Sequence, residues 1–317
     1  MHSLEKILLT GSTGFIGSEL LPKLIKEGYE VHTLERYVTG RYSLDEAETH
    51  YANLQDRLAV YKVVKQVKPD YVIHLAVISA VSFSYEHYDE VTSVNYLGSV
   101  NLAEACREEC NIKAFITAGT SEMYGMTLKD RYSCLREEDA LTPNSPYAVA
   151  KAAFGSYLKY MNMAYNFPFM ELRPFNSYGR KNNTHFFIER AVTQMLGGHE
   201  ARLGDKSAIR DWLYVDDHCD AYLKALKAPQ ALGESINLCT GVGYTTEETA
   251  MIIAGMTGFK GAIRWGTNPP RPLDAKILIG SNAKAKKLLG WVPKYSLREG
   301  LRKTIEYWRG KERGNQE

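Results

Sequence analysis

Tyr147 and Lys151 stand four residues apart in the stretch Tyr147-Ala-Val-Ala-Lys151. On a helix that spacing puts both side chains on one face. A neighbouring ammonium favours the phenolate, so the pair is expected to lower the tyrosine pKa toward a useful general-base value. Upstream, residues 117–125 read Thr-Ala-Gly-Thr-Ser-Glu-Met-Tyr-Gly, with Thr120, Ser121 and Glu122 just past an apolar run at 114–118. Hydroxyls and a carboxylate at the carboxyl end of a strand lie where open α/β sheets bind ligands. Near the N-terminus, Gly11, Gly14 and Gly17 follow the apolar run 6–10 and precede a helical stretch at 18–27. Glycines so placed permit a tight turn and bring backbone N–H groups close to a pyrophosphate at a helix N-terminus.

The elements that must carry these residues alternate. Residues 29–34 read as a second strand, 55–67 as a helix, 71–76 as a buried strand, 91–110 as a long helix and 114–118 as a further strand. Strands separated by helices imply right-handed βαβ units and a parallel sheet covered on both faces. The second strand runs into Glu35 and Arg36, where a ribose-binding acid belongs in such a fold. Glu35 would accept from the ribose hydroxyls and repel a 2′-phosphate, whereas Arg36 would do the opposite. The acid at the strand end favours NAD, with NADP left open.

Beyond residue 170 glycines and prolines punctuate shorter elements. The expected organisation is a Rossmann-type doubly wound α/β domain at 1–172, completed by about 209–240, with 173–208 and 241–317 forming a smaller α/β substrate lobe. The charge balance, 39 basic against 37 acidic side chains, removes the main electrostatic reason to expect nucleic acid or an anionic membrane. No apolar run approaches the roughly 20 residues of a membrane helix, and the first strand is too short for a signal-peptide core. A cytoplasmic protein is expected. The five cysteines include no C-x-x-C pair, and no two histidines stand four apart on a helix, so no structural metal is expected.

Taken jointly, these motifs resemble those of the extended short-chain dehydrogenase/reductases that modify nucleotide sugars. The likeness runs through GSTGFIG at 11–17, His74-Leu75-Ala76, Asn95, TSEMYG at 120–125, Tyr147 with Lys151, the run 173–179, the run 210–217, Arg271-Pro272-Leu273-Asp274 and Leu289-Gly290-Trp291. It implies that Tyr147 takes the proton from a sugar 4-hydroxyl, that Lys151 holds the nicotinamide ribose, and that Thr120 hydrogen-bonds the same sugar oxygen. It also implies cofactor contacts from Phe15, Ile16, Asn53, Leu54, Leu75, Ala76 and Asn95, and substrate contacts from Ser79, Asn176, Arg210 and Arg271. Guanidinium forks suit diphosphate oxygens. Asn53 stands where the family usually has an acid, and Arg180 where it usually has a proline.

The order Thr120-Ser121-Glu122 resembles the GDP-mannose 4,6-dehydratases. Once C4 is a ketone, H5 is acidic; Glu122 would remove it while Ser121, or a water it holds, protonates the departing 6-hydroxyl. A nucleotide-diphosphosugar 4,6-dehydratase is therefore expected. UDP-glucuronate decarboxylase, 4-epimerase and 4-keto-sugar reductase stand as alternatives within the family, and a cofactor-sensing regulator stands outside it. The helix at 91–110 and the one starting near Pro146 carry apolar residues on more than one face, among them Leu97, Leu102, Ala103, Phe154, Leu158 and Met161. By the same resemblance these helices form a four-helix bundle in a homodimer.

Overall fold

The structure, a computed structural model, describes residues 4–37, 47–127, 130–198, 200–267 and 271–314. The chain begins in the middle of its sheet. Strand β1 (Lys6–Thr10) leads through helix α1 (Phe15–Lys26) to β2 (Glu30–Glu35), and β3 (Glu48–Tyr51) lies beyond it. Helix α2 (Arg57–Val67) then crosses back to β4 (Tyr71–His74) on the other side of β1. Short helices α3 (Val81–Glu86) and α4 (Tyr88–Thr92), then α5 (Ser99–Glu109), precede β5 (Ala114–Ala118). Helix α6 (Pro146–Tyr165) leads to β6 (Phe169–Pro174).

After a short β7 (Asn176–Tyr178) come α7 (Phe187–Leu196), β8 (Glu200–Arg202), β9 (Ile209–Tyr214), α8 (Val215–Ala225) and β10 (Glu234–Leu238). The rest comprises β11 (Gly243–Thr245), α9 (Thr246–Thr257), β12 (Ala262–Arg264), β13 (Ile277–Leu278), α10 (Ala283–Leu289) and α11 (Leu297–Gly314). Seven parallel strands form the main sheet in the order β10-β6-β5-β4-β1-β2-β3. The winding reverses between β1 and β4, which opens a crevice at their carboxyl ends. Side chains alternate across the sheet. Ile7, Leu9, Ile73 and Ile116 enter one buried cluster, and Leu8, Val72, Phe115 and Phe169 enter the other.

Two expectations are corrected. The segment 209–240 does not complete the main sheet as a unit: β9 pairs with β7, β11 and β13 in a small second sheet, whereas α8 packs on α1 and β10 joins β6. The helix expected at 91–110 is interrupted by a π-helical turn at Ser93–Gly98. That wide turn holds the buried Asn95 amide against the loop after β4, accepting from Ile78 N at 2.8 Å and donating to Ile78 O at 2.9 Å. Such π turns recur at functional sites. Of the apolar residues on these two helices, Leu102, Ala103, Phe154, Leu158 and Met161 form the face packed under the sheet. The exposed large hydrophobic side chains on these helices include Leu97, Val149 and Met163, with Tyr160 and Tyr165 beside them on the second. Among the described residues no helix is long and apolar enough to cross a membrane.

Candidate active site

Helix α6 opens with Ser145 as its cap, the hydroxyl accepting from Ala148 N at 3.2 Å, and with Pro146 in the first turn. This start fixes Tyr147 and Lys151 on the face toward the crevice, where both are buried. The Lys151 ammonium donates to Ala118 O, at the end of β5, at 2.6 Å. Burial pulls its pKa down to about 8, with the Glu171 carboxylate acting the other way. The Tyr147 phenol moves opposite to the sequence expectation. Burial pushes it up to about 12, while a hydrogen bond from Thr120 pulls it down and the Glu122 charge adds to the rise. In a dry pocket desolvation outweighs the attraction of a neighbour, and one Lys151 donor is committed to Ala118. Tyr147 therefore rests as a neutral phenol.

Beyond β5 the chain makes a single 3₁₀ turn, Ser121–Met123, capped by Thr120, whose hydroxyl accepts from Glu122 N at 3.2 Å. The turn points Thr120, Ser121 and Glu122 into the cavity that Tyr147 also lines. Glu122 is only 8% exposed. Its Oε2 is buried with no hydrogen-bond partner. An unmatched buried acceptor costs about 1–3 kcal/mol, more when charged, so it marks a position where a ligand supplies the missing donor.

The glycine loop builds the cofactor end. Gly11 has φ +72°, and a Cβ there would lie 2.7 Å from Ala76 N, so only glycine lets β1 pass this close to the loop after β4. A side chain at Gly17 would strike Gly11 O. Helix α1 then starts at Gly14 with no side-chain cap and no acid in its first turn, leaving its first N–H groups for an anion. A dinucleotide pyrophosphate fits this cradle. Glu35 serves the same loop from β2. Its Oε1 accepts from Ser12 N at 2.9 Å and Ser12 Oγ at 2.6 Å, and its Oε2 from Thr13 Oγ1 at 3.0 Å. The residue expected at the ribose is thus also a strut of the glycine turn.

Gly11, Gly14, Phe15, Ile16, Gly17 and Leu75 line the cavity together with the catalytic candidates. Ala76, Glu35, Arg36, Asn53, Leu54 and Asn95 do not appear in its wall. Leu54 is buried beneath the π turn. The Asn53 side chain folds onto Gln55, and Arg36 is exposed beside Tyr37.

At the substrate end, Ser79, Asn176, Arg210 and Arg271 all line the cavity, whose volume is about 1530 Å³. That exceeds a typical small-molecule pocket of about 300–1,000 Å³ and suits two elongated ligands side by side. Arg210 pairs with Asp274 at 3.2 Å, and Arg271 approaches the same carboxylate at 3.7 Å, so one aspartate orients both guanidinium groups.

The wall also holds residues that motif reading assigned no role. Arg180 lies over the Phe15 ring at 4.2 Å and the Phe186 ring at 3.5 Å. Burial pulls its pKa down to about 10, against the Glu189 charge. In the same wall, His218 Nε2 and Tyr222 Oη are buried without hydrogen-bond partners, as is Oδ1 of the substrate candidate Asn176. The arginine in place of the family's proline was the one available signal for this group.

Comparison with known proteins agrees with this geometry. A family model described as GDP-mannose 4,6 dehydratase matches residues 8–304. A UDP-glucose 4-epimerase from Mycolicibacterium smegmatis is 31% identical, covering 96% of this chain and 99% of its own. GDP-mannose 4,6 dehydratase 2 from Arabidopsis thaliana is 30% identical, covering 94% and 85%. The crystal structure of UDP-glucose 4-epimerase from Thermus thermophilus in complex with NAD superposes with a TM-score of 0.87 at 30% identity, covering 96% and 99%.

Proposed function

The chain belongs to the GDP-mannose 4,6 dehydratase family, within the extended short-chain dehydrogenase/reductases that modify nucleotide sugars, and from that premise we propose that it is an NAD-dependent nucleotide-diphosphosugar 4,6-dehydratase. The observation that carries this reading is the unpartnered, buried Glu122 carboxylate beside Tyr147 and Thr120. Exchange of configuration at C4 asks for no second base. Elimination does.

When bound, NAD supplies a hydride acceptor that later returns the hydride, and a positive ring that favours the Tyr147 phenolate. Tyr147 Oη then takes the proton of the sugar 4-hydroxyl, with Thr120 holding the same oxygen. Lys151 stands four residues away on the same face and orients the cofactor ribose. Glu122 removes the proton at C5, now acidic beside the C4 ketone. The C6–O bond breaks, and the hydroxyl leaves as water after protonation through Ser121, which is buried in the same turn. Hydride addition at C6 and protonation at C5 complete a 4-keto-6-deoxy sugar, with net loss of one water. Arg210 and Arg271 hold the diphosphate, and Asn176 donates to it.

Incubation with GDP-mannose, dTDP-glucose, UDP-GlcNAc or CDP-glucose tests this directly. A product absorbing in strong base, with no net consumption of NAD, is the expected result. The 4-epimerase reading is supported by the relatives of that name at about 31% identity. A C4-inverted sugar that keeps its 6-hydroxyl would decide for it. We propose further that the protein is a homodimer whose contact includes the exposed Leu97, Val149 and Met163. A single monomeric species in sedimentation would overturn that.

A further inference from the structure

On the opposite side of the cofactor groove from the catalytic residues, β2 and β3 pair in parallel at one edge of the main sheet, with His32 opposite Glu48 and Leu34 opposite His50. Glu30, His32, Glu48 and His50 consequently share one face. His32 Nδ1 lies 3.1 Å from His50 Nε2, and the Glu48 carboxylate lies 3.6 Å from each of these nitrogens. We propose that His32, Glu48 and His50 form a site for a divalent transition-metal ion of the zinc class. It lies apart from the sugar chemistry and does not depend on it.

The distances carry the assignment. Ligand atoms about 2.0–2.2 Å from a tetrahedral zinc ion stand roughly 3.3–3.6 Å from one another. Here the two imidazole nitrogens stand 3.1 Å apart, each lies 3.6 Å from a different oxygen of the Glu48 carboxylate, and one ligand atom from each of the three residues lies within 4.8 Å of the others, a span that an ion would draw together. At 3.6 Å the carboxylate is beyond a sound hydrogen bond to either ring, so hydrogen bonding alone does not account for its placement. Glu30 completes the pattern by meeting the other nitrogen of His32, Nε2, at 2.9 Å. A carboxylate behind a ligating imidazole fixes the tautomer: Nε2 donates to Glu30, and the Nδ1 lone pair, which accepts from His50 Nε2 when no ion is bound, faces Glu48 and His50. Two imidazoles and one carboxylate are the donor set of three-ligand zinc sites, with water in the fourth position.

The rings are nearly enclosed, at 5% and 9% exposure, while the Glu48 side chain is 61% exposed and gives an ion its route in. Spacing along the chain could not reveal the group, because β pairing, not a helix, assembles it. The proposal thus runs against the sequence expectation of no structural metal. The ion would clamp β3, a four-residue edge strand, to β2, just before both strands reach the adenosine side of the groove at Glu35 and Asn53.

The test uses tag-free full-length protein dialysed against a chelator and titrated with Zn²⁺ by calorimetry, with thermal unfolding followed in parallel. One saturable equivalent per chain and a rise in Tm are expected. Glu30→Gln should weaken binding by about 10–100-fold. Glu48→Gln and His50→Asn should each abolish the equivalent and the Tm rise. Glu48 is exposed, so its variant keeps the metal-free Tm and preserves the test if His50→Asn folds poorly. Co²⁺ in place of Zn²⁺ should give the visible bands of a four-coordinate site without thiolate charge transfer. Absence of a saturable equivalent, or one that survives in Glu48→Gln or shows thiolate bands, overturns the proposal.

Discussion

Two buried polar clusters, one beside Lys151 and one around Tyr147, the proposed proton acceptor, are built to opposite standards. Under the sheet, Arg173 donates to Glu171 at 2.8 Å, to Tyr124 Oη at 3.0 Å and to Ser235 Oγ at 3.2 Å. Ser235 in turn donates to Glu171 at 2.7 Å, and Tyr124 donates to Asn237 at 2.8 Å. In the cavity wall, by contrast, Glu122, Asn176, Glu189, His218 and Tyr222 each keep a buried polar atom without a hydrogen-bond partner. A closed network in a low dielectric fixes one arrangement; an open one has capacity left for a ligand. The closed cluster is scaffold for Lys151, which feels the Glu171 charge, and the open cluster lines the proposed reaction chamber.

Substitutions should separate the two. Tyr147→Phe removes the proton acceptor and should cut turnover by about 10²–10⁴-fold with Tm nearly unchanged. Steady-state rates with a matched melting curve check this, and only a modest loss would return Tyr147 to the role of a packed helix residue. In the closed cluster the effect should fall on stability. Arg173→Leu leaves Glu171 buried and unpaired, at a cost of about 3–5 kcal/mol measurable by denaturant unfolding. An Arg173→Leu protein of unchanged stability but lost activity would erase the distinction.

Acid titration supplies a smaller contrast. Burial holds His74 and His218 down to about 3, well below the ordinary value of 6.5. The unfolded chain then binds more protons between those limits, so stability should fall as pH drops from about 6.5 toward 3, by up to about 1.4 kcal/mol per unit for each ring. His74 contacts Thr10 Oγ1 and Ser99 Oγ, each at 2.8 Å, whereas His218 Nε2 has no partner. His218→Asn should therefore flatten the acid limb while costing less at neutral pH than His74→Asn. Equal costs would show that the orphaned nitrogen is no different in kind.

Local chemistry explains what was legible beforehand. The glycine turn, the strand before it and the Tyr147/Lys151 face are written in short runs, because a tight turn and a helical repeat are each set within a few residues. Long-range partners were not legible. Glu35 binds Ser12 and Thr13 across β1, and nothing near Glu35 in the chain announces it. The π turn at Ser93–Gly98 adds one residue per turn without disturbing the apolar pattern enough to be seen. Arg180 defied the habit of arginines to be exposed, lodging between two phenylalanines. For Tyr147, spacing shows a pairwise attraction to Lys151 but not the burial of both groups, which sets the direction of each shift.

The difference between a closed scaffold and an open chamber rests most heavily on Glu122. Single-turnover mixing of Glu122→Gln, loaded with NAD, with the substrate of the native enzyme tests it most directly, read by the near-ultraviolet absorbance of reduced nicotinamide and by product analysis. Oxidation at C4 should proceed and elimination should not, so reduced nicotinamide accumulates on an enzyme of undiminished Tm. Dehydration at the native rate, with no such accumulation, would contradict the assignment of Glu122 as the base.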